Sequence, residues 1–290
     1  MDRLTACRER FARQVTAGAG WPAGDERLEA AFRETPRELF LGPGPWRPSG
    51  RGCWAGAVRR WAARGGGKPG LDPAMVYHDT TFALTPGGIN NGQPSLHAQC
   101  LAALAPQPGE AAVHVGAGSG YYTAILARLL RAHQPGGGRV DAFEVEPELA
   151  RRAAANLAAM SGVVVHARSG AVGPLPACDL IYVNCGATAP LPLWLEALRP
   201  GGRLLAPLTG YDGAGVMLLT TRPVGEGVAW PARIVASVLF IGCAGARDPE
   251  EAASLAAALG RGGSGAVRWL RRGTPPDGAA WCAGRGWWIY

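Results

Sequence analysis

The stretch VHVGAGSGYY, Val113 to Tyr122, decides how this chain is read. Ala111–Val115 is a short apolar run with the length of a buried strand, and Tyr122–Ala132 has helical character. Between them stand Gly116, Gly118 and Gly120. A strand that passes through glycines into a helix is the nucleotide-binding turn of a doubly wound α/β sheet. Glycine permits the tight turn and lets a ligand approach the main chain, and the helix N-terminus offers amides that lack an internal partner. The spacing is G-x-G-x-G, with Tyr121 where a dinucleotide fingerprint carries its third glycine. It suits a small ligand bearing a carboxylate and a ribose better than a pyrophosphate. In isolation the same trio is compatible with nothing more than a tight strand-to-helix turn.

Downstream, the pattern alternates. Strands are expected at 139–145, 163–167, 180–184 and 203–208, with helices at 147–160 and 191–198 between them. Such alternation implies right-handed crossovers and a mostly parallel sheet covered on both faces. Two further strands, 216–220 and 233–241, have no helix between them and should form an antiparallel edge. The fold class is therefore α/β, doubly wound, a seven-stranded Rossmann-like sheet preceded by a helical extension. In this fold the acid at the end of the second strand accepts hydrogen bonds from ribose hydroxyls, which nominates Glu144, followed by Val145. Glu146 competes with it, but Pro147 behind it suits the first position of a helix. Ser169 and Gly170, after the third strand, mark the place for an adenine, and Asn184 ends the fourth strand at the carboxyl edge.

Upstream, helices are expected at 2–16 and 25–40, and 95–104 reads as a helix before Pro106. Residues 46–71 carry Trp46, Trp54, Trp61, Arg59 and Arg60 without an acid. The segment reads either as a basic aromatic lid or as a surface connection whose tryptophans dock on the core. Three regions follow: a helical extension with this basic loop over 1–74, a ligand-binding α/β domain over 75–245, and a C-terminal helix with a tryptophan-rich tail packed on the core over 246–290.

Composition sets bounds on function. The chain has 290 residues, 48% of them hydrophobic, and a formal charge of +7. Its basic charge is almost all arginine, Lys68 being the single lysine, and a surplus of this size argues only weakly for nucleic acid. The seven cysteines are scattered, with no CxxC pair, so neither a metal site nor a disulfide framework is expected. No apolar run approaches membrane-spanning length, and the N-terminus has no signal-peptide pattern, so a cytoplasmic protein is expected.

The ordered set of motifs resembles the protein-L-isoaspartate O-methyltransferase family. Tyr77 and Asp79 come first, then Gln93-Pro94, the glycine motif with GYYTA, Phe143-Glu144, IYVNCGA (Ile181–Ala187) and GGRLLAPL, with a weaker echo in TPRELFLG (Thr35–Gly42). The resemblance implies a methyltransferase that uses S-adenosyl-L-methionine and methylates a carboxylate of a protein or peptide. It implies cofactor contacts from Asn90, His97, His114, Gly116, Ala117, Gly118, Ser119, Gly120, Tyr121, Glu144, Val145, Ser169 and Gly170. It also implies an acceptor site at Asn91, Gly92, Gln93 and Asn184, with loop 90–93 closing over the cofactor. Three positions depart from the family. His114 stands where an acid is usual, Gly92 replaces the serine beside the methyl acceptor, and Arg168-Ser169-Gly170 replaces Gly-Asp-Gly. An ionised carboxylate acceptor needs no general base, which agrees with the absence of a base-and-orienter pair in the sequence. A small-molecule methyltransferase with another nucleophile, and a cofactor-binding pseudoenzyme, remain open at this point. An RNA methyltransferase is disfavoured, because no NPPY-type motif follows the fourth strand.

Overall fold

The computed structural model describes residues 2–49, 71–225, 227–276 and 278–290. The basic segment with Trp54, Trp61, Arg59 and Arg60 lies outside the described residues. Five strands build the parallel centre: β1 (Ala111–Val115), β2 (Arg139–Phe143), β3 (Val163–His166), β4 (Cys178–Val183) and β5 (Leu198–Thr209), in spatial order β3-β2-β1-β4-β5. The sheet continues antiparallel through β6 (Ala214–Thr221) and β7 (Ala229–Leu239). It then takes in β8 (Trp269–Arg272), β10 (Trp287–Ile289) and β9 (Cys282–Gly284), giving ten strands. The doubly wound α/β class is therefore observed, but the expected seven-stranded sheet gains three strands. The tail anticipated as packed tryptophans is itself sheet: alternate residues bury Trp287 and Ile289 while main-chain pairing covers what would be the edge of β7.

Eight α-helices precede, cover or follow these strands among the described residues: α1 (Arg3–Thr16), α2 (Arg27–Arg33), α3 (Arg37–Phe40), α4 (Pro94–Leu104), α5 (Tyr121–Leu129), α6 (Pro147–Leu157), α7 (Pro192–Ala197) and α8 (Pro249–Arg261). The helix expected over 25–40 is divided at Thr35-Pro36, because proline disfavours helical geometry in the residue before it. The others lie close to their expected positions, and α4, α6, α7 and α8 each open on a proline, whose missing N–H costs nothing there.

Strand alternation splits the core into two layers. Ala112, Leu180, Tyr182, Leu205 and Met217 face the layer of α1, α2, α4, α5 and α6. Val113, Val115, Ile181, Val183, Leu204 and Leu208 face the layer of α7, α8 and the C-terminal strands. β1 is buried on both faces, which is why it reads as a continuous apolar run.

Candidate active site

The register of the parallel strands aligns their carboxyl ends. Val115 pairs with both Phe143 and Val183, and Phe143 pairs with His166. Gly116, Glu144 and Asn184, each the next residue along its strand, are thereby delivered to one edge. The strand order reverses between β1 and β4, so this edge is the topological switch point where doubly wound sheets take ligands. A cleft of about 1420 Å³ opens there.

The glycine loop is held by main chain. The Gly116 and Ala117 amides both donate to the Phe143 carbonyl, at 2.9 and 3.1 Å, and Asn156 Nδ2 donates to the Ser119 carbonyl at 2.9 Å. Gly116, Gly118 and Gly120 all have positive φ, the conformation the motif required. Glu144 closes the loop: its Oε2 accepts from the Gly118 amide at 2.7 Å, and its Oε1 from the Glu146 amide at 3.0 Å. Burial raises the Glu144 carboxyl above its ordinary value, partly opposed by those amides. The carboxylate lines the cleft and keeps acceptor capacity beyond these two bonds. Ala117, Ser119, Tyr121, Val145, Ser169 and Gly170 line the same cleft. Ser169 Oγ donates to the Ala244 carbonyl at 2.6 Å and accepts from the Ala171 amide at 3.1 Å, so that hydroxyl fastens the loop it sits on.

The second wall comes from a small hairpin. Leu84 and Asn91 donate backbone amides to the Ile89 and Phe82 carbonyls, and Asn91 Oδ1 accepts from the Phe82 amide at 2.8 Å. Asn90 Oδ1 accepts from the Gly92 amide at 3.0 Å, a local Asx turn. Gln93 Nε2 donates to Asp79 Oδ2 at 3.0 Å, while Asp79 Oδ1 accepts from the Ser95 amide at 2.8 Å and caps α4. Residues 90–93 all line the cleft, and so does His97, one turn into α4. The His97 ring stacks on Tyr122 with centroids 3.6 Å apart, and its Nδ1 meets the Tyr182 hydroxyl at 2.5 Å.

Two nominated residues stand outside the cleft lining. Gly120 begins α5, and a Cβ there would press on Leu157 at 2.8 Å. His114 is fully buried, because alternation along β1 turns it, like Ala112, toward the helices. It lies between Thr123 Oγ1 at 2.8 Å and the Asn184 amide nitrogen at 2.7 Å, stacked on Tyr182. His114 adjoins the cleft through Asn184. Burial lowers both His97 and His114 to about 3, so both rings are neutral at neutral pH.

The sequence reading missed Tyr122, Cys185, Cys243 and Arg247, which also line the cleft. Arg247 donates to the carbonyls of Gly186, Thr209 and Gly210 and ties the end of β5 to the start of α8. Nothing local in the sequence marks that role. Three cleft-lining side chains hold buried polar atoms without a partner among the described residues: Asn91 Nδ2, Tyr121 Oη and Asn184 Oδ1. Buried polar atoms are rarely left so, and three lining one cleft point to a bound ligand.

A profile of the family described as protein-L-isoaspartate(D-aspartate) O-methyltransferase (PCMT) matches residues 71–246. The chain belongs to this family. A protein-L-isoaspartate O-methyltransferase from Aeropyrum pernix is 36% identical over 157 residues, covering 52% of this chain and 58% of its own length. One from Triticum aestivum is 37% identical over 132 residues, 41% of this chain and 55% of its own length. The matched stretch thus spans little more than half of these two relatives. Protein-L-isoaspartate O-methyltransferase 2 from Anaeromyxobacter sp. is 30% identical over 211 residues, 70% of each chain. Among solved structures, a protein-L-isoaspartate O-methyltransferase superposes with a TM-score of 0.64 at 19% identity, covering 88% of this chain and 68% of its own. A Plasmodium falciparum PCMT in complex with S-adenosyl-L-homocysteine gives 0.61 at 17% identity, covering 84% and 99%. At those identities the two structures show the shared fold. The protein-L-isoaspartate O-methyltransferase profile takes in the glycine loop, hairpin 82–91 and β1–β7, and it ends just before α8.

Proposed function

We propose that this protein is an S-adenosyl-L-methionine-dependent O-methyltransferase that esterifies an isoaspartyl-type carboxylate of a protein or peptide. The observation that carries the reading is convergence: the family's glycine loop, Glu144, Asn184 and loop 90–93 line one cleft at the switch point of the sheet. The residues present fit the donor. Glu144 retains acceptor capacity for ribose hydroxyls, and Tyr121 and Asn184 hold buried polar atoms that lack a protein partner among the described residues. When bound, S-adenosyl-L-methionine supplies an electrophilic methyl group on a sulfonium.

Glu144 and the glycine loop would hold the ribose and the amino-acid end, and Ser169-Gly170 would border the adenine. Asn184, oriented by His114, would stand beside the reacting atoms. Loop 90–93 and α4 would position the acceptor and keep water out, which is most of what an in-line transfer asks of an enzyme. An acceptor carboxylate is ionised near neutral pH, so no residue is needed to remove a proton. Among the described residues no helix is long and apolar enough to cross a membrane, and the six described cysteines are free, in keeping with the cytoplasm as the proposed compartment.

The test uses labelled S-adenosyl-L-methionine with paired peptides that differ only in aspartyl or isoaspartyl linkage. Label released as methanol in alkali, from the isoaspartyl peptide alone, is the expected result. Tight binding of S-adenosylhomocysteine without any such ester would overturn the acceptor assignment, and failure to bind it would overturn the cofactor assignment.

A further inference from the structure

One stretch of the cleft's rim is apolar. Tyr211, Leu239 and Ile241 all line the cleft, yet they remain 71%, 74% and 50% exposed. Exposed apolar side chains gathered at one rim mark a surface that receives something. Main chain brings the three together. Leu239 pairs with Ala214, the Phe240 amide donates to the Gly213 carbonyl at 3.0 Å, and a Cβ built on Gly213 would stand 3.5 Å from Leu239 Cδ1. Turn 210–213 and segment 239–241 thus lie side by side, while Phe240, between the two exposed residues, packs on the core.

The turn that carries Tyr211 is firmly held. Arg247 donates to the Thr209 carbonyl at 2.9 Å, to Thr209 Oγ1 at 2.8 Å and to the Gly210 carbonyl at 2.6 Å. Within the turn, the Gly210 amide donates to the Ala214 carbonyl at 2.8 Å, and Asp212 Oδ1 accepts from the Ala214 amide at 3.0 Å. Arg247 is the first residue beyond the stretch that the family profile matches, so this support comes from outside it. Strand order sets the lip apart from the cofactor elements. β1, β2 and β4 lead into Gly116, Glu144 and Asn184, whereas Tyr211 follows β5, on the far side of β4 from β1. The Ala187 amide donates to Pro207 at 2.9 Å and its carbonyl accepts from Thr209 at 2.8 Å. The start of the turn is therefore one strand spacing, about 5 Å, from the segment that follows Asn184. An extended peptide advances about 3.4 Å per residue, which brings a side chain close to the methylated carboxylate within reach of the lip.

We infer that Tyr211, flanked by Leu239 and Ile241, is a specificity-determining contact that receives an apolar side chain next to the methylated residue of the acceptor. The inference rests on the peptide carboxyl-methyltransferase reading above and names a sequence preference within it. A tyrosine ring suits the role, because it offers a large apolar face and loses little side-chain freedom when it is covered.

The test compares wild type, Tyr211→Ser and Tyr211→Phe on a set of isoaspartyl peptides. Leucine stands before the modified residue in one peptide and after it in another, and serine fills both places in the last. For wild type, kcat/KM for at least one leucine peptide should exceed that for the serine peptide by about fivefold or more, the effect of partly burying a leucine side chain. Tyr211→Ser should bring the peptides within about twofold of one another, and Tyr211→Phe should keep the preference. S-adenosylhomocysteine affinity should stay within about twofold of wild type in both variants, because the turn lies away from the cofactor loop. Peptide affinity for the protein–S-adenosylhomocysteine complex, read by calorimetry, should show the same preference. That measurement separates the two ideas: peptides bound with the leucine preference but never esterified sink the reaction and leave the contact standing. A wild type that treats all the peptides alike overturns the inference. So does a leucine preference that survives in Tyr211→Ser, and so does an absence of peptide binding by wild type.

Discussion

At the scale of single residues, Glu144 carries the sharpest expectation. Its carboxylate lines the cleft at the end of β2, bonded to two backbone amides. Replacing it with alanine should weaken S-adenosylhomocysteine binding by about 1–3 kcal/mol, the value of charge-assisted bonds to two hydroxyls. An unchanged affinity by calorimetry refutes the ribose assignment. The sign of the pH effect follows from its burial. Burial raises the carboxyl above its ordinary value, and on the proposed assignment ribose hydroxyls would donate to the ionised form. Cofactor affinity should therefore fall as pH drops through that raised value, and Glu144→Gln should flatten the dependence. Glu144 was legible in the sequence, because an acid at the tip of a strand is a local pattern. His114 was not, since its role depends on Thr123 and on Asn184, 70 residues away.

At the scale of elements, the cleft wall proposed to receive the acceptor is a hairpin and a helix joined through side chains. Asp79 caps α4 at the Ser95 amide and also holds Ser95 Oγ and Gln93. Asp79→Ala should cost about 1 kcal/mol or less at this exposed cap and raise KM for the acceptor. S-adenosylhomocysteine affinity should be unchanged, and a KM equal to wild type would count against Asp79 as the hinge of this wall. The N-terminal extension is fastened differently. Arg37 is fully buried under Phe11, Phe82 and Tyr121, and its guanidinium donates to the carbonyls of Val76, His78 and Thr80. Arg37→Met would remove the guanidinium donor that the Val76 and Thr80 carbonyls accept from and should destabilise the fold by about 3 kcal/mol or more, read from urea midpoints. A wild-type midpoint would show that α1–α3 are not anchored through this residue. The motif TPRELFLG was visible in the sequence, but no local pattern says that its arginine points inward.

At the scale of the whole molecule, two buried histidines couple folding to pH. Each is lowered from 6.5 to about 3, burial being the leading cause. In the unfolded chain both take up protons near 6.5, and in the folded chain they do not. Stability is therefore intact above about pH 6.5 and is lost as pH falls toward 3, by about 1.4 kcal/mol per pH unit for each histidine. Urea unfolding between pH 7 and 5 should show this slope, and His114→Gln should remove its share; a slope unchanged by that substitution would be evidence against the buried neutral state. Ligand binding acts on the same balance. S-adenosylhomocysteine at a hundred times its Kd should stabilise the folded chain by about 2.7 kcal/mol, seen as a rise in Tm that Glu144→Ala reduces.

By itself the sequence determined the parallel centre of the sheet, the glycine turn that lines the cleft and the acid beside it. Those features are written in short-range terms: apolar runs of strand length, glycines where φ must be positive, proline at helix starts, and an acid following Phe143. Tertiary structure alone decided which polar groups are left free to face the cleft. Asn90 and Gln93 looked available in sequence and are bound by their own turn and by Asp79, whereas Asn91 keeps its Nδ2 without a partner among the described residues, and His97 Nδ1 meets the Tyr182 hydroxyl 85 residues away. The last three strands were equally hidden, because short segments acquire strand structure from the edge they pair with. A hydrogen bond between distant residues has no period and no spacing, so it can be read only once the chain is folded.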